Sequence, residues 1–67
     1  MNKYAVAILI CRLERGVEHE CLYTDMEEAH TPQEAYLKVL DNIVMSNTYK
    51  DCFYKVVRHA VKKIIII

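Results

Sequence analysis

Residues Tyr4 to Cys11 read YAVAILIC, eight apolar side chains without a break. On an extended backbone successive side chains point to opposite faces, so this segment is apolar on both. Such a strand belongs in the middle of a sheet, covered from two sides. The run is far shorter than the ~20 residues a spanning helix needs, and Arg12, Glu14 and Arg15 close it. Lys3 in front of it imitates a signal peptide. No small-residue cleavage site follows, however, and Ile10 before Cys11 is too large for a lipoprotein site.

Arg15-Gly16 contains the only glycine of the chain. Two apolar-rich segments flanking a two-residue loop with Gly second predict a β-hairpin, with Val17 to Met26 as its second strand. If Glu14 faces Val17, then Arg12 faces His19, Ile10 faces Cys21 and Ile8 faces Tyr23. One face of the hairpin then carries Tyr4, Val6, Ile8, Ile10, Val17, Cys21 and Tyr23. The other carries Ala5, Ala7, Leu9, Cys11, Leu13, Leu22 and Met26. Glu18, His19 and Glu20 mark the second strand as an edge, where charge discourages stray pairing.

Thr31-Pro32-Gln33-Glu34 is a helix start. Thr31 caps the first turn, Pro32 occupies a position where no amide hydrogen is missed, and Glu34 completes a capping box. Apolar residues at 36, 37, 39, 40, 43 and 44, with Lys38, Asp41 and Met45 opposite, give one apolar face at helical period. The helix is expected from Pro32 to about Asn47.

Tyr49 to Ile67 points two ways. Phe53, Val56, Val57, Ala60, Val61 and Ile64 would share one face of a helix, and strict strand alternation fails. Yet the residues are β-branched and aromatic, and a lone two-stranded hairpin is barely stable without another neighbour. The expectation is a strand beside the first one. The fold is then a single α+β domain over residues 1–67, β-β-α-β, with a three-stranded antiparallel sheet ordered 2-1-3 and one helix on one face.

The segment Ala29-x-Thr31-x-x-Glu34-Ala35, leaving a strand and opening a helix before a last strand, resembles the small β-β-α-β proteins of bacteriophages, among them inhibitors of host RNA polymerase and some anti-CRISPR proteins. The resemblance implies a chain without catalytic residues that binds a larger protein and blocks it.

Composition agrees with a folded binding module. Apolar residues make up 54% and charged residues 27%, with one Gly and one Pro, which argues against disorder. A chain of 67 residues buries only about 60% of its unfolded surface, too little for a deep walled pocket, so no enzyme is expected. Cys11, Cys21 and Cys52 are an odd number, against a closed disulfide framework and in favour of a reducing cytoplasm. His19-x-Cys21 is a single ligand pair, whereas zinc usually takes two. Cys52, near Lys50 and Lys55, has no base oriented towards it. No catalytic, cofactor or metal site is assigned.

Charge is segregated along the chain. From Glu14 to Glu34 there are seven acids and one base; from Lys50 to Lys63 there are five bases and one acid. The basic-surface candidates are Lys55, Arg58, His59, Lys62 and Lys63. They support an alternative function, a small nucleic-acid-binding dimer, which net neutrality and the absence of a stacking signature disfavour.

One helix covers only one face of a sheet. Ala5 and Ala7 suit close approach of the helix, which would leave Tyr4, Val6, Ile8, Ile10 and Tyr23 uncovered. These residues, with the terminal Ile64, Ile65, Ile66 and Ile67, are the interface candidates. The expected function is a small protein-interaction module, an inhibitor or adaptor. A protein partner is expected, with a homodimer as the simplest case and no membrane.

Overall fold

The computed structural model describes residues 1–65. Strand β1 (Asn2–Glu14) turns at Arg15-Gly16 into β2 (Val17–Ala29); helix α1 (Pro32–Ser46) and a short 3-10 turn (Tyr49–Asp51) lead into β3 (Phe53–Ile64). The sheet order is β2-β1-β3, and both neighbours run antiparallel to β1. This is the expected β-β-α-β arrangement.

Each boundary has a local cause. Arg15 and Gly16 have φ of 52° and 77°, the double positive sign of a type I′ turn, whose twist matches that of the strands it joins. The hairpin register follows, with Glu14 opposite Val17, Ile10 opposite Cys21 and Ile8 opposite Tyr23. Strand β2 runs past Met26 through Glu27 and Glu28 to Ala29, which is fully buried. At the helix start the Glu34 amide donates to Thr31 Oγ1 at 3.1 Å, and Pro32 sits in the first turn. At its end, the Asn47 amide and side-chain Nδ2 both donate to the Ile43 carbonyl at 3.0 Å.

Strand β3 contains an irregularity that explains its ambiguous pattern. Leu9 faces Arg58, but Ile10 faces Val56, so Val57 is an extra residue. A bulge reverses the alternation beyond it. Val56 and Val61, five residues apart, therefore both pack against the core beneath the helix, an odd spacing that breaks strict alternation.

The core lies between α1 and one face of the sheet. Ala35, Val39 and Ile43, four residues apart along α1, pack onto Tyr4, Val6, Ile8 and Ile10. Tyr36, Leu40 and Val44 flank them, while Leu37 points outward. Tyr49 closes one end of the core, fully sequestered, with its hydroxyl hydrogen-bonded to that of Tyr23. The two rings meet edge to face at 6.1 Å.

This placement reverses the expected choice of face. The helix covers Tyr4, Val6, Ile8 and Ile10, so these four are core and not an exposed interface. Tyr23, on the same face, is half-buried and tied to Tyr49. Large side chains under the helix remove more apolar area from water than alanines would, at ~25 cal/mol per Å². Ile64 pairs with Lys3 at the end of β3 and so lies, by register, on the face of the sheet away from the helix. Ile65 is exposed, and Ile66 and Ile67 lie outside the described residues.

Candidate functional site

Among the described residues, none lies over the face of the sheet away from α1. In β1 it carries Lys3, Ala5, Ala7, Leu9, Cys11 and Leu13, and the register adds Leu22 and Met26 from β2 and Phe53 and Ala60 from β3. Leu13, Leu22, Met26 and Phe53 are 50, 66, 59 and 83% exposed. Four large apolar side chains on one continuous face form a patch, and such patches mark interaction surfaces. An open groove of about 690 Å³ runs along it, lined by Ala5, Ala7, Ala60, Met26, Thr24 and Lys62. The alanines keep this stretch low, so side chains of an occupant have somewhere to go.

The charges that border the patch are sorted by strand. Strand β2 holds five acids and no Lys or Arg; of these, Glu18, Glu20 and Glu28 share the open face by register with Leu13, Cys11 and Lys3. Strand β3 holds four Lys or Arg and no acid; Lys55, Arg58 and Lys62 share the open face with Cys11, Leu9 and Ala5. An apolar centre thus lies between an acidic and a basic edge.

The five basic candidates do not act as one surface. Lys55, Arg58 and Lys62 are on the open face, whereas His59 and Lys63 register with Ile8 and Tyr4 on the helix side. His59 stacks against Tyr36 at 4.3 Å. Phe53 is the most exposed aromatic residue. The open-face set Ala5, Ala7, Leu9, Cys11, Leu13, Leu22 and Met26 was legible from hairpin parity, but its exposure was not.

Burial, reinforced by the hydrogen bond with Tyr23, raises the Tyr49 phenol well above its ordinary value. Cys11 is buried and Cys21 half-buried, on opposite faces; the exposed Cys52 thiol lies 3.8 Å from the Thr48 carbonyl. Among the described residues no three His, Cys, Asp or Glu side chains converge as metal ligands, and no helix is long and apolar enough to cross a membrane. No family model, curated protein or solved structure matches this chain.

Proposed function

We propose that this chain is a small non-catalytic interaction module, an inhibitor or adaptor of the phage type, that binds a protein through the open face of its sheet. The observation that carries the reading is the coincidence of Leu13, Leu22, Met26 and Phe53 on one uncovered face. The nucleic-acid alternative draws on Lys55, Arg58 and Lys62, which share that face beside Phe53. Glu18, Glu20 and Glu28 stand only two strand spacings away, about 10 Å. That is about one Debye length at moderate salt, so the acids oppose any phosphate backbone laid across the sheet.

Photo-crosslinking in the native cell tests the proposal. A benzophenone amino acid at Leu22, on the open face, should give a discrete protein adduct. The same group at Leu37, exposed on α1, should give none. Equal labelling from both positions, or none from Leu22, would refute it.

A further inference from the structure

We infer that the occupant of the open face is a second copy of this chain, packed face to face with its strands parallel to those of the first. The inference rests on the proposed use of that face and commits it to one partner. Two copies can meet through the same face about a twofold axis in two simple ways. An axis across the strands lays β2 over β2 and β3 over β3, so Glu18, Glu20 and Glu28 oppose one another, as do Lys55, Arg58 and Lys62. An axis along β1 exchanges the edges and lays β2 over the partner's β3. Every open-face acid of β2 then lies over a strand that has bases and no acid.

At one level the residues match as well as the signs, while Glu18 and Glu28 stand at the levels of Phe53 and Ile64. Glu20 and Lys55 both register with Cys11, so in the parallel arrangement each Glu20 stands over a Lys55 of the other copy. Leu22 shares its level with Arg58, and Met26 shares its level with Lys62. Each apolar side chain of β2 thus meets a long basic side chain whose stem is apolar. Leu9 and Leu13 meet their own counterparts on the axis. Lys3 does so too, and Glu28 beside it in register compensates that approach. Over ~13 residues and three strands the face projects about 600 Å². Its corrugated area approaches the ~800 Å² per partner of a standard interface. The edges are also mutually complementary, but pairing β2 to another copy's β3 builds an open ladder and leaves the apolar patch wet.

The test is sedimentation equilibrium from micromolar to millimolar chain. The expected result is a finite species of twice the 7.9 kDa chain mass. Glu20→Lys and Lys55→Glu should each weaken association about tenfold or more, and the double variant should recover most of it. Glu27→Lys with Lys63→Glu, both at the level of Tyr4 on the helix side, should change nothing. Without any substitution, a half-labelled sample should show filtered NOEs from Leu13 to Leu13 across the interface. NOEs from Leu13 to Ala5, or single reversals that tighten the dimer, would overturn the parallel arrangement. An open polymer, or a monomer throughout, would overturn the dimer. If the chain is monomeric while Leu22 still crosslinks to another protein, only this inference falls; if neither is seen, the proposed function falls with it.

Discussion

The two faces of the sheet are both apolar along β1, yet they do different work. Under α1 stand Tyr4, Val6, Ile8 and Ile10, all at 3% exposure or less. On the other side Ala5, Ala7 and Leu9 are only half-buried, and the larger apolar groups at the margins are wet. The covered face holds branched and aromatic side chains that fill the space beneath the helix. The open face has the small residues Ala5 and Ala7 in its central strand and the large Leu22, Met26 and Phe53 on its outer strands. Apolarity alone therefore does not distinguish the covered face from the open one; size and position do.

The sharpest way to break this contrast is one substitution on each face. Ile8→Ala should destabilise the fold by about 2–5 kcal/mol, since it opens a cavity in a fully packed layer. Leu22→Thr, measured in dilute protein, should cost less than about 0.5 kcal/mol, because it removes no monomer packing. Denaturant titration of both compares the faces directly, and equal costs would mean that the open face is not open in the monomer.

Tyr49 sharpens the covered side. Its folded pKa is raised above the unfolded value, so the folded state favours the neutral phenol. The stability this gives is fully present below about pH 10, the unfolded value, and is lost as pH rises through the folded one. Thermal unfolding of Tyr49→Phe should therefore show a shallower alkaline decline than wild type. The same variant loses a buried hydrogen bond, about 1 kcal/mol at neutral pH. An unchanged alkaline slope would place Tyr49 in water.

Thr31→Ala removes the cap that starts the covering helix and should cost about 1 kcal/mol in thermal unfolding. The smallest effect belongs to the outer surface of α1. Lys38 lies 3.3 Å from Glu34 and donates to the Glu28 carbonyl at 3.1 Å, all exposed. Glu34→Gln should stay within about 0.5 kcal/mol of wild type in denaturant titration.

Much of the fold was legible because its signals are local. Arg15-Gly16 and the Thr31 to Glu34 box specify their turn and helix start through backbone geometry and a few hydrogen bonds, whatever lies beyond them. The hairpin register follows from the turn by counting. Strand β3 was harder, since the bulge at Val57 mixes two phases of an alternating pattern. Of the site, parity in the hairpin grouped Ala5, Leu9, Leu22 and Met26, but it did not say that this group would be the exposed one. Phe53 and Ala60 join it only through the pairing of β3.

The sequence by itself determined the hairpin turn, the start of the helix and which residues of the hairpin share a face. The tertiary structure decided which of two apolar faces the helix covers. A strand apolar on both sides contains no preference that alternation can reveal. Strands β2 and β3, each antiparallel to β1, are parallel to one another, so α1 is a crossover between parallel strands. Such crossovers are almost always right-handed, which leaves the helix one side of the sheet. On that side Tyr4, Val6, Ile8 and Ile10 become core, and the opposite side, with its acidic and basic edges, is left uncovered by the described residues.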